Sequence, residues 1–279
     1  MNLTIKMIDR YICNLKEEER SEATIKKYRR DLTLFYDFLP DGKILDKNAV
    51  LSWKERLISL GYASSSVNVM LASVNGMLAH AGLSEWRAKF LKRQHSAFRE
   101  ERRELGRSEY MKLVETARRE KKERIGLAME TICSTGIRVS ELAFITVEAA
   151  RAGCAELRLK GKCRRILFPA ALVKKLLRYA ASQKTAHGPI FRDRNGKPLS
   201  RHSVWSEMKK IGRKAGVAAS KVFPHNLRHL FAKVFYSLER DLSKLADLLG
   251  HSSIETTRIY IATGGCEHLR QLNKMRLII

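Results

Sequence analysis

The chain has 279 residues, 44% of them hydrophobic, which is enough for two domains with their own cores and excludes disorder throughout. Its 54 Lys and Arg against 29 Asp and Glu leave a formal charge of +25, an excess that repels itself unless a polyanion is the working partner, nucleic acid first and an acidic membrane surface second. Five scattered cysteines without a C-x-x-C argue against a disulfide framework or a zinc site and for a reducing compartment; Lys6, Asp9 and Arg10 stand where a signal peptide needs an apolar run.

Residues 1–95 read as a helical domain. In SEATIKKYRRDLTLFYDFL, Ser21 is a cap, and Ile25, Tyr28, Leu32, Phe35 and Leu39 recur at three- and four-residue steps. Lys26, Lys27, Arg29 and Arg30 lie on the other faces, as a solvated surface or as contacts to DNA phosphates. A second helix, KNAVLSWKERLISLG, stops at Gly61, and a third starts in the serine run of ASSSVNVMLASVNGMLAHAG. Residues 57–84 carry no Asp, Glu, Lys or Arg, but their many Ser and Asn residues exclude a membrane span, and the chain is expected to be soluble.

Residues 96–107 are dense in charge and lack apolar periodicity, as a linker would. The second domain is expected over 108–279. It opens with two helices, the latter closed by Gly136, and continues with a short antiparallel hairpin, AELRLK and RRILFP, turning at Gly161-Lys162-Cys163. Beyond Pro169 the pattern is helical, apart from the loop around GPIFRDRNGKPLS. The fold class is therefore mainly α, with one small β-hairpin in the second domain. Charge is uneven: residues 1–106 hold 19 Lys and Arg against 14 Asp and Glu, a net of +5, and residues 107–279 hold 35 against 15, a net of +20.

Four islands carry chemistry. STGIRVSEL places Arg138 after a Gly turn, with Glu141 three residues on; LKGKCRR places Lys162 at the hairpin; PHNLRH places His225 and Arg228 one helical turn apart; LLGHSSIETTRIY places His251 nine residues before Tyr260. Each alone has an ordinary structural reading. Together they supply guanidinium forks and imidazoles for the non-bridging oxygens of a phosphodiester, an ammonium for a leaving 5′ oxygen and a phenol to attack phosphorus. No Asp/Glu cluster for Mg²⁺ accompanies them, so the inventory suits phosphotransfer without a metal or other cofactor.

These motifs, in this order and spacing, resemble the tyrosine recombinases, or phage-type integrases, and particularly their compact Xer-like members. The resemblance covers residues 108–265 well and the first hundred residues only as a general helical type. It implies a two-domain DNA clamp, in which a helical core-DNA-binding domain precedes a catalytic one. Arg138 and Arg228 look like the phosphate-clamping arginines, Lys162 like the lysine that protonates the 5′ oxygen, and His225 like an acid/base and phosphate ligand. His251 looks like a ligand of a non-bridging oxygen, Tyr260 like the nucleophile that forms a 3′-phosphotyrosine, and Glu141 like the buttress that aligns Arg138. His229, one position past Arg228, is expected to face elsewhere and be structural. Arg164 and Arg165 beside the hairpin are further candidate DNA contacts. Cys163 stands where the family often has glycine.

The resemblance further implies double-stranded DNA as partner, a cytoplasmic, nucleoid-associated site of action, and a homo-tetramer on a Holliday junction, joined by exchange of the tail helix carrying Leu269, Leu272, Met275 and Ile279. Three other readings compete. A type IB topoisomerase would relax plasmids lacking a specific site, a non-catalytic DNA-binding regulator would cleave nothing, and an RNA-binding protein would require an RNA-reading aromatic motif that is not seen.

Overall fold

The computed structural model describes residues 1–92, 103–159, 162–251 and 253–261, without the side chains of 158–159, 162–163 and 259–261. Most of the expected linker and the whole tail after Ile261, with its apolar stripe, lie outside the described residues. The chain forms two compact units, Met1–His95 and Ser96–Ile279.

Among the described residues the first unit has four α-helices, α1 (Ile5–Glu17), α2 (Glu22–Phe38), α3 (Lys47–Ser59) and α4 (Ser64–His80), followed by a 3-10 turn (Ser84–Trp86). Thr4, Ser21 and Asp46 cap the first three by accepting amide hydrogens of the first turn. Ile12, Leu32, Phe35, Trp53, Leu71 and Val74 meet in its core. The uncharged α4 puts its polar side chains to structural use. Asn75 exchanges two hydrogen bonds with the backbone of Ala88, and Asn68 does the same with Leu91, so two amides dock the extended segment after the helix. Ser73 donates to the buried Asp31 of α2.

The second unit opens with α5 (Arg107–Arg119) and α6 (Glu123–Thr135), the latter closed by Gly136. A 3-10 turn (Val139–Phe144) and a short α7 (Val147–Ala152) lead into the antiparallel strands β1 (Cys154–Leu159) and β2 (Lys162–Leu167). Helices α8 (Ala170–Ser182), α9 (Arg201–Lys214), α10 (Pro224–Glu239), α11 (Leu242–Leu249) and α12 (Ile254–Ile261) follow. The unit is mainly helical with one hairpin, as the sequence pattern predicts. Arg138 opens a 3-10 turn, and Lys162, expected within the turn of the hairpin, is the first residue of β2, paired with Leu159.

Register explains the inner face of the hairpin. Ala155 pairs with Ile166 and Leu157 with Arg164, and the three apolar members are buried in the main core with Ile132, Ile137 and Leu227. A smaller apolar cluster of Ala232, Leu245 and Leu249, flanked by Phe231 and Phe235, fixes α11 against α10. No helix among the described residues is long and apolar enough to cross a membrane.

Candidate active site

The site is built around the carboxyl end of α11. A helix end leaves carbonyls without intrahelical partners, and a positive group placed there also meets the negative end of the helix dipole. Here two guanidinium groups supply what is missing. Arg164 Nη2 donates to the carbonyl of Leu248, and Arg228 Nη2 donates to that of Leu249 (2.8 Å). Gly250 then turns the chain with φ +64, its amide returning to Asp247, and His251 follows.

Arg228, on the second turn of α10, is 1% exposed. Its Nη1 donates to Gly136 O at 2.7 Å, and its Nη2 also meets His251 Nε2 at 2.8 Å. A guanidinium only donates, so Nε2 of His251 accepts. The ring proton then sits on Nδ1 and is donated to Thr257 Oγ1, 2.8 Å away. Burial, then the charges of Arg228, Arg138, Arg164 and His225 in that order, push His251 down from 6.5 to about 4. It is therefore neutral at physiological pH. The donation to a non-bridging oxygen expected of His251 differs from this geometry, because from Nε2 it requires the bond from Arg228 to break and that nitrogen to take a proton.

Arg138 caps the 3-10 turn. Its amide donates to Glu141 Oε2 (2.8 Å) and its Nη1 to Oε1 (3.0 Å), so the carboxylate three residues on both caps the start of the turn and aims the side chain. Glu141 is 2% exposed, whereas the Arg138 side chain is 45% exposed. Arg138 is thus the open member of the arginine pair and Arg228 the enclosed one.

His225, at the second position of α10, is exposed, and its ring packs edge-to-face on that of His229 at 4.6 Å. His229 is buried beneath it rather than turned elsewhere, since four residues along a helix return to the same face.

Tyr260 and Lys162 belong to α12 and β2, but their side chains lie outside the described ones. Thr257 is buried and sits three residues before Tyr260, so its bond to His251 fastens the helix about 4.5 Å along its axis from that residue.

The further basic candidates divide. Lys27 reaches Asp31 Oδ2 (2.7 Å), Ser73 Oγ and the Val69 carbonyl, an internal role. Lys26 pairs with Glu22, Arg29 with Asp9 and Arg30 with Asp31, all three side chains remaining at least half exposed. Arg165 is exposed, its guanidinium on Cys154 Sγ at 3.2 Å. Arg164, expected on DNA beside it, points inward instead. It is 12% exposed and donates to Glu141 Oε2 (3.3 Å) as well as to Leu248. Strand alternation is the physical reason and was the available signal, because residue 164 shares a face with Ile166, not with Arg165. Nothing in the motif spacing points to Thr257.

Residues 103–264 match the phage integrase family, and residues 8–82 match the N-terminal SAM-like domain of phage integrases. The chain belongs to the phage integrase family. Tyrosine recombinase XerA of Pyrococcus furiosus is 30% identical over 278 residues, spanning 96% of this chain and 93% of the relative. Tyrosine recombinase XerD of Staphylococcus epidermidis is 28% identical, spanning 88% and 89%. Among solved structures, a lambda integrase dimer bound to a COC′ core site superposes with a TM-score of 0.75 at 18% identity, covering 92% of this chain and 76% of that one. The crystal structure of XerA recombinase gives 0.55 at 21% identity, covering 99% and 100%. This member of the integrase family is a tyrosine recombinase, an enzyme of DNA strand transfer.

Proposed function

We propose that this recombinase cleaves and rejoins a specific duplex site through a 3′-phosphotyrosine on Tyr260. The phenol oxygen attacks the scissile phosphorus, its proton passing to His225, while the bond from phosphorus to the 5′ oxygen breaks and Lys162 protonates the departing oxygen. Arg138 and Arg228 hold the non-bridging oxygens as negative charge accumulates on them, and Glu141 keeps Arg138 aimed. The phosphodiester energy is kept in the tyrosyl bond, and reversal of the step by a second 5′ hydroxyl exchanges strands. Four copies, linked by exchange of the tail helix, would carry this through a Holliday junction in the nucleoid. The units 1–95 and 108–279, joined by residues 96–107, form the two arms of the DNA clamp. Lys26, Arg29, Arg30 and Arg165 are exposed enough to exchange their present partners for phosphates. Binding should weaken with salt by a slope of about −0.9 per phosphate neutralised.

The observation that carries this reading is the convergence of Arg138, Arg228 and His251 at the end of α11, with Thr257 fastening the helix of Tyr260 to the same histidine. The test uses a pool of nicked duplexes with randomised arms, from which SDS-resistant adducts are recovered and sequenced. The wild-type chain should yield adducts on a defined site, and Tyr260→Phe should bind that site and yield none. A 5′-bridging sulfur, which leaves without a proton, should restore cleavage to Lys162→Ala, with Lys160→Ala as the control. Adducts formed by Tyr260→Phe would overturn the reading.

A further inference from the structure

We propose that Arg164 is a positioning residue of the phosphate clamp, holding Arg138 and His251 in register from the inner face of β2; the inference rests on the recombinase reading above. Three contacts carry it. Its Nη1 donates to Glu141 Oε2, the carboxylate oxygen that also caps the Arg138 amide. Its Nη2 donates to Leu248 O, next to the carbonyl gripped by Arg228 and three residues before His251. Its aliphatic stem lies against Gly250, where a Cβ would come within 2.5 Å of Arg164 Cδ. One guanidinium thus ties three separately encoded motifs: the Arg138 turn, the hairpin that bears Lys162 and the α11 end that presents His251.

The placement is not what stability alone favours. Arg164 lies opposite Leu157 and shares a face with Ile166, where an apolar side chain would fill the space without removing a charge from water. Its Nε is buried with no hydrogen-bond partner among the described residues, a cost that a Leu or Met would not carry. Glu141 at the centre faces Arg138 on one side and Arg164 on the other, so its orientation depends on both. Without Arg164 the carboxylate is free to rotate with Arg138, and the α11 end loses one of its two anchors.

The test compares the wild-type chain with Arg164→Met and Arg164→Lys on the duplex recovered from the adduct selection. Single-turnover cleavage by Arg164→Met should fall about 10- to 100-fold, the loss typical of a misplaced reacting geometry, while DNA affinity stays within about twofold. With a neutral methylphosphonate at the scissile position there is less charge to clamp, so the deficit should shrink, as it should for Arg138→Ala. Arg164→Lys, which keeps a charge for Glu141 without a fork for Leu248, should fall between and secures the test if the Met variant folds poorly. A residue that merely supports the fold would lose binding and cleavage together and show the same deficit on both substrates. That result, or wild-type cleavage by Arg164→Met, would overturn the inference. One arm needs no DNA: the ring nitrogen signals of His251 should report the Nδ1–H tautomer in the wild-type chain and a changed population in Arg164→Met. Unchanged signals there would count against Arg164 even if Tyr260 proved not to react, so the two readings fail separately.

Discussion

Among the described residues each unit of this recombinase buries one carboxylate, and the two are used differently. Asp31 (0% exposed) in α2 is satisfied by Lys27 and Arg30 of its own helix and by Ser73 of α4. All its partners serve the packing of two helices. Glu141 takes one cation from its own turn, Arg138, and one from a distant strand, Arg164, and the first of these remains half open to solvent. The same electrostatic device therefore seals a helix pair in one unit and aims a reactive group in the other. What separates them is whether a cation is left facing outward with its geometry fixed.

Neutralising each carboxylate should separate the two roles most severely. Glu141→Gln leaves two guanidinium groups without their counter-charge and should slow cleavage about 100-fold at saturating DNA. Asp31→Asn weakens the α2–α4 packing and should cost about 1–3 kcal/mol of stability, seen as a lower melting temperature, with cleavage per folded molecule nearly unchanged. If Asp31→Asn slowed the cleavage step as much as Glu141→Gln, the distinction between a packing carboxylate and an aiming one would be lost.

Glycines at positive φ sharpen it at smaller scale. Gly42, in the first unit, has φ +85 with nothing within 4 Å of an added Cβ, so Gly42→Ala brings only backbone strain of about 1 kcal/mol. Gly250 has similar strain at φ +64, but there the new methyl collides with Arg164. Gly250→Ala should therefore lose cleavage about 10-fold in addition to its stability loss, and chemical denaturation beside single-turnover kinetics would separate the two effects.

Residue type and spacing made the catalytic candidates legible. A guanidinium, an imidazole and a phenol at those intervals have few joint uses, and apolar residues at three- and four-residue steps placed α2, while a glycine stop and a serine run marked α3 and α4. The roles of neighbours were harder to read. Arg164 and Arg165 are identical in type, and only the alternation of a strand, read together with Ile166 and Phe168, assigns one inward and the other outward. Lys27 looked like its neighbours Lys26 and Arg29 because the burial of Asp31, four residues on, depends on a serine 42 positions away. Thr257 was silent for the same reason. A hydroxyl acquires a function only when folding brings an imidazole nitrogen to it, and no periodicity encodes that meeting.

The smallest effect concerns protons rather than side-chain loss. His251 is held neutral by burial and by Arg228, Arg138, Arg164 and His225 around it, with Thr257 accepting its one ring hydrogen. Between about pH 4 and 6.5 the unfolded chain carries a proton on this residue that the folded chain does not. Acid thus favours unfolding: the contribution of His251 is fully present above 6.5 and is lost progressively as pH falls towards 4. Melting temperatures across that window should decline more steeply for the wild-type chain than for His251→Gln, which has no proton to take up. Parallel curves would mean that the imidazole is already protonated in the folded chain, and its hydrogen bond with Arg228 would then have to be abandoned, since two donors cannot share it.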